Sequence, residues 1–184
     1  MIKRCATFVS LALAAASSPI LRAQTIEIPD WEHSVRFELV SSQEPVRPGD
    51  QLQIALVAEI EPGYHLYGPE EQKPSRTELL VSGESIEAGG PVFPPVIRRD
   101  LAGLGQFDLY EGKIAIRVPI AVDPAAPDHG EIPVSVNVHY QVCTDSACSA
   151  PTSKTLTLKM TAAKPGSPVE KRHREVFAAP SGHP

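Results

Sequence analysis

The sequence predicts an all-β chain, an immunoglobulin-like antiparallel β-sandwich, and three observations predict it. Apolar and polar residues alternate with a period of two in segment after segment, the pattern of strands with one buried face. Clusters of Pro, Gly and Asp separate those segments and supply the backbone conformations that turns need. Nineteen prolines among 184 residues argue against a helical bundle, because proline breaks helix interiors. No segment shows a convincing 3.6-residue period. With 42% apolar and 21% charged residues the chain has material for a packed core.

Residues 1–23 read as a secretory signal peptide. Lys3 and Arg4 form a basic start, Ala6–Ala16 (ATFVSLALAAA) an apolar stretch, and Leu21-Arg22-Ala23 a cleavage site before Gln24. The apolar stretch is shorter than the ~20 residues a bilayer-spanning helix needs. No later stretch is long and apolar enough to span, so the expected product is periplasmic, with no membrane span after cleavage. Removing Lys3, Arg4 and Arg22, and no acid, takes the formal charge from −5 to −8. With that charge and no Lys/Arg cluster in the globular part, nucleic acid is not an expected partner.

The domain proper spans 24–163. Trp31 reads as a packing anchor. Ser34–Val40 (SVRFELV) sets Val35, Phe37 and Leu39 against Arg36 and Glu38. Gln51–Ile60 alternates through Leu52, Ile54 and Leu56 and then turns more apolar. Thr77–Val81, Lys113–Val122, Ile132–Val142 and Ser153–Met160 follow the same habit. Turn signals lie between them at 47–50 (RPGD), 61–63 (EPG), 89–91 (GGP) and Pro124–Gly130. Residues 89–110 are poorly patterned and read as a long loop or short edge strands. Lys164–Pro184, rich in Pro, Gly, Ser and charge, reads as a flexible tail with room for a short helix around Val169–Phe177.

Three cysteines occur, and Cys5 falls inside the signal. Cys143 and Cys148 remain, an even pair in an oxidising compartment, where one disulfide is the default. A strand runs into Cys143, four small or polar residues follow, and another strand begins after Cys148. In a chain-entropy estimate, closing so short a loop is worth roughly 2 kcal/mol against about 4 for a loop of some 60 residues. The only bridge stands where it constrains least, which leaves redox use and a static structural bond both open. A metal reading draws on His139 with the two cysteines, but closed zinc sites show two close ligand pairs and no second pair exists. Asp145 would raise a thiol pKa if it lay close, and otherwise serves the turn. Hydrolase and nucleotide-binding motifs are missing from the sequence.

The run YQVCTDSACSAPTSKTLTL resembles the end of the N-terminal periplasmic domain of the thiol:disulfide interchange protein DsbD family. Tyr140, Gln141, Cys143, Cys148, Pro151, Lys154 and Thr155 match its pattern. Upstream, residues 62–67 (PGYHLY) resemble the family's Gly-Tyr-x-x-Tyr segment, and Gly105–Tyr110 gives a weaker third match. The resemblance covers roughly residues 34–160. It implies an immunoglobulin-like sandwich without cofactor. Its redox pair would be Cys143 and Cys148, with Tyr64, His65 and Tyr67 nearby. A cap loop would shield the pair near Asp100–Gly105. Family caps carry an aromatic residue; this one offers Leu101 and Leu104 between glycines. Full-length members continue into membrane electron-transfer and thioredoxin-like domains, and this sequence ends at Pro184. The expected partners are therefore a thioredoxin-fold or membrane electron-transfer protein acting in trans, and oxidised envelope proteins. Cys143, ending a strand behind Val142 and Tyr140, is the expected buried sulfur. Cys148, among Ala147, Ser149 and Ala150, is the expected point of attack. The alternative is the same sandwich serving as a binding adaptor with a static disulfide.

Overall fold

A computed structural model describes residues 29–101, 103 and 105–178. The expected signal peptide and Leu104 lie outside the described residues. The first half contains β1 (Val35–Ser41), β2 (Gln43–Glu44), β3 (Gln51–Ile60), β4 (His65–Tyr67), β5 (Glu78–Ser82), β6 (Ile86–Ala88) and β7 (Ile97–Leu101). The second half adds β8 (Gly105–Tyr110), β9 (Lys113–Val122), β10 (Glu131–Tyr140), β11 (Val142–Cys143), β12 (Thr152–Thr161), β13 (Glu170–Lys171) and a single turn of helix, α1 (Arg174–Phe177).

Two antiparallel sheets form the sandwich, ordered β1-β3-β9-β6 and β12-β10-β5. The alternation decides what they bury. Leu52, Ile54 and Leu56 of β3, with Ile116, Val118, Ile120 and Val122 of β9, meet Ile132, Val134, Val136 and Val138 of β10 and Met160 of β12. Each such side chain contributes about 1.5–3 kcal/mol by leaving water. Pro133 is tolerated inside β10 because β5 pairs only with Ser135–His139, so one side of the strand needs no ladder bond at that point.

A third sheet, β11-β4-β8-β7, sits at one end of the sandwich. Its two faces have different jobs. Leu66, Tyr110 and Val142 stand in one row across it and extend the core toward Ala58 and Ile60. On the opposite face, Tyr67, Leu109, Leu101 and Cys143 form a separate small apolar cluster. The poorly patterned segment 89–110 supplies half of this sheet. Phe93 and Val96 pack inward, and β7 and β8 form a hairpin in which Leu101 pairs with Gly105.

Residues 170–178 of the C-terminal segment lie against the sandwich. Lys171 and Glu170 pair with β2, the Arg172 amide donates to the Ser42 carbonyl (2.9 Å), and α1 seats Val176 and Phe177 over Val40, Ala55 and Val57. The reason lies in β3, which is apolar on both faces from Ala55 to Ala58, so this part of its outer face needs a cover. Composition hides this because only two tail side chains provide it.

The candidate thiol–disulfide site

The turn at Glu61-Pro62-Gly63 launches β4, with Gly63 in the left-handed region (φ 88°) that glycine adopts without strain. In β4 the side chains then alternate. Leu66 goes to the sandwich core, whereas His65 and Tyr67 go to the face that carries the disulfide. Antiparallel pairing sets His65 directly opposite Cys143, and Tyr67 opposite Leu109. Gly68 follows because β8 passes too closely for a side chain: a Cβ there would lie 3.0 Å from the Asp108 carbonyl oxygen.

Cys143 and Cys148 are disulfide-bonded, with Cα atoms 4.0 Å apart. Their environments differ sharply. Cys143 is 0% exposed, within the cluster of Tyr67, Leu101 and Leu109, with Phe107 packed against it. Cys148 is exposed, with the Tyr67 hydroxyl 4.0 Å from its sulfur. The loop between them holds its own shape. The Thr144 amide donates to the Ala147 carbonyl (2.8 Å), and the Thr144 hydroxyl oxygen accepts from the amides of Ser146 and Ala147. At its base, the Ser149 amide donates to the Val142 carbonyl (2.8 Å) and the Gln141 side-chain amide to the Ser149 carbonyl (2.8 Å).

The β7–β8 hairpin packs beside the disulfide, and Leu101 is buried in one cluster with Cys143. Phe107 packs on the same cluster and meets Tyr67 edge-on at 5.6 Å between ring centroids. It was missed because it lies beyond the glycines of the turn, within the weakest of the three matching segments. Arg99 was missed as well. From β7 it pairs with Glu111 and reaches the Asp145 carboxylate at 3.1 Å, fastening the hairpin to the disulfide loop. Asp145 thus shares the Arg99 guanidinium with Glu111.

Not every expected residue converges here. Tyr64 packs edge-on against Trp31 (5.9 Å), and its hydroxyl oxygen accepts from the Asp30 amide (3.0 Å). Tyr140 packs against Phe37 at 4.8 Å in the sandwich interior. Both brace the core behind the site. His139 commits one ring nitrogen to the Ser153 hydroxyl (3.0 Å) and the other to the Pro74 carbonyl (2.8 Å), so it does not join the cysteines as a ligand. Among the described residues no group of three or more His, Cys, Asp and Glu side chains is disposed to hold a metal ion.

Burial sets the protonation of the site. It pushes the His65 imidazole pKa below its ordinary value, partly opposed by the Asp145 carboxylate. It raises the Tyr67 phenol, with Glu71 adding to the effect. At neutral pH both side chains are uncharged. The outer side of Tyr67, with Phe107, lines a recess of about 370 Å³ walled by Glu71, Gln72, Lys73 and Ser75.

Residues 36–160 match the family model of the thiol:disulfide interchange protein DsbD, N-terminal. Among solved structures, the N-terminal periplasmic domain of ScsB from Proteus mirabilis superposes with a TM-score of 0.50 at 15% identity, over 77% of this chain and 52% of that one. This chain therefore spans about half the length of the ScsB domain. The Neisseria meningitidis DsbD N-terminal domain in its reduced form aligns with a TM-score of 0.37 at 14% identity, over 72% of this chain and 89% of that one. No curated protein sequence matches the chain. The family match takes in both cysteines, the β4 segment and the β7–β8 hairpin. The chain thus belongs to the family of the DsbD N-terminal domain, a family of thiol–disulfide exchange, and carries its cysteine pair as a disulfide.

Proposed function

We propose that this chain is an exported thiol–disulfide exchange domain that passes electrons between thioredoxin-fold partners and oxidised envelope proteins through Cys143 and Cys148. Residues 1–23 direct it to the periplasm and are removed. The observation that carries the reading is the asymmetry of the two sulfurs, one buried in an apolar cluster and one exposed beside the Tyr67 hydroxyl. Exchange requires a thiolate to approach one sulfur in line while the other leaves. A partner thiolate attacks Cys148 Sγ, an intermolecular disulfide forms, and Cys143 leaves as a thiolate. The partner's second thiolate then attacks its own sulfur in that mixed disulfide, and Cys148 leaves. Two electrons and two protons have passed to the domain, and the partner holds a disulfide. The reverse sequence reduces an oxidised envelope protein.

The hydrogen bonds of the 143–148 loop support reversible opening, because they close the loop through backbone and side-chain groups other than the S–S bond. The test mixes oxidised domain with a reduced thioredoxin-fold protein whose resolving cysteine has been removed. Peptide mapping is expected to find the partner joined to Cys148. Capture at Cys143 would reverse the roles. Resistance to every thioredoxin-fold donor, with a potential below about −300 mV, would replace this reading with the adaptor one.

A further inference from the structure

We propose that His65 is the proton acceptor and donor for Cys143, a role that rests on reading Cys143–Cys148 as a redox pair. Each cycle puts a proton on Cys143 and takes it off again. Cys143 is 0% exposed, so water does not serve it directly and a neighbouring group must. Besides Arg99, four titratable groups lie around it on the packed elements. Tyr67 directs its hydroxyl at Cys148, and burial makes it a weaker acid than usual. Asp145 and Glu111 are both engaged by Arg99, which itself holds its proton tightly between them. The fourth is His65.

Its placement suits the task. His65 is the cross-strand partner of Cys143, so the two side chains leave the same face with Cβ atoms about 4.5–5.5 Å apart. It is 1% exposed, and its Nε2 is buried without a hydrogen-bond partner. A buried polar atom without a partner is a rarity that calls for a cause. The cause here is the oxidation state. The sulfurs of a disulfide carry no proton to share, whereas the Cys143 thiol formed on reduction does. Burial keeps the imidazole uncharged at neutral pH and so able to accept that proton.

The step balances. In the resolving direction, Cys148 is joined to an envelope protein. The Cys143 thiol gives its proton to His65 Nε2, and the resulting thiolate attacks Cys148 Sγ. The Cys143–Cys148 bond forms, the intermolecular S–S bond breaks, and the envelope protein's sulfur leaves as a thiolate that is protonated by solvent. In the reducing direction, attack on Cys148 Sγ releases Cys143 as a thiolate, and a proton taken up from solvent by His65 Nε2 is handed to it to form the thiol. The imidazolium formed by transfer from the thiol stands beside the Cys143 thiolate and stabilises it, so the thiolate is reached at a lower pH than without the histidine.

The experiment uses the whole chain with Cys148→Ser, leaving Cys143 as the one thiol of the mature domain, and follows thiolate ultraviolet absorbance against pH, with and without His65→Gln. His65→Gln is expected to raise the Cys143 midpoint by about one pH unit, a tenfold loss of thiolate below it. Superimposable midpoints would overturn the proposal. A second measurement needs no substitution: the ¹⁵N resonance of His65 Nε2 in the native domain is expected to move when the disulfide is reduced, and an unmoved resonance would also overturn it. Neither readout involves a partner. Failure of partner exchange with a shifted Cys143 midpoint would remove the proposed partners and leave the role of His65 standing. Normal exchange with superimposable midpoints would remove that role alone.

Discussion

Phe107→Ala tests whether the β7–β8 hairpin is a cover for the buried sulfur. Phe107 packs on Tyr67 and on the Leu101, Leu109 and Cys143 cluster, and it is partly rather than fully buried. Truncating a fully buried Phe to Ala costs about 3–5 kcal/mol. Scaling for partial burial leaves about 2 kcal/mol, of which roughly 1 belongs to the edge-on pair with Tyr67. For a chain of this size that lowers Tm by about 4–8 °C. The larger consequence is kinetic. In the Cys148→Ser background, Cys143 reacts with iodoacetamide only when the cap opens. If the lost contacts belong to the closed state alone, opening becomes easier by the same 2 kcal/mol, and alkylation speeds up about 30-fold. Thermal unfolding and alkylation followed by mass spectrometry give both numbers. A lowered Tm with unchanged alkylation would refute the reasoning, because Phe107 would then support the fold without covering the sulfur.

Three more outcomes are expected. Phe177→Ala should lower the urea midpoint by an amount worth about 1.5 kcal/mol, since its partly buried ring covers Val40, Ala55 and Val57; a change within the ~0.5 kcal/mol of an ordinary surface substitution would return residues 164–178 to the status of a loose tail. The folded-state pKa of His65 lies below its ordinary 6.5, so its contribution to stability is complete above about pH 6.5 and declines as pH falls from there toward the folded value. His65→Gln should flatten that part of the urea-midpoint profile, and identical slopes in the two proteins would contradict it. N-terminal sequencing of the exported protein should begin at Gln24, and a retained Met1 would count against the signal peptide.

Local signals were enough for the long strands. Period-two alternation in β1, β9, β10, β12 and the first part of β3 reports a strand with one more deeply buried face, and that depends on residues two apart in the chain. The same parity was available in Tyr64–Tyr67, where it separates Tyr64 and Leu66 from His65 and Tyr67. Applied there, it would have kept Tyr64 out of the site. The cysteine pair and the order of burial within it were legible too, because a strand enters Cys143 and small polar residues surround Cys148.

What the sequence by itself determined, then, is the long strands of the sandwich, the cysteine pair and which of its sulfurs lies inside. The tertiary structure alone decided what surrounds that sulfur. His65, Leu101 and Phe107 reach Cys143 from strands 36–78 residues away in the chain, through pairings of β4 with β11 and of β4 with β8 that no local pattern specifies. The tail is the same case. Its composition reports how little apolar surface it has, but not that β3 presents Ala55 and Val57 on a face no other strand covers. Periodicity records whether a side chain is buried; its partner is set by which strands pair and in what register, a property of contacts distant along the chain.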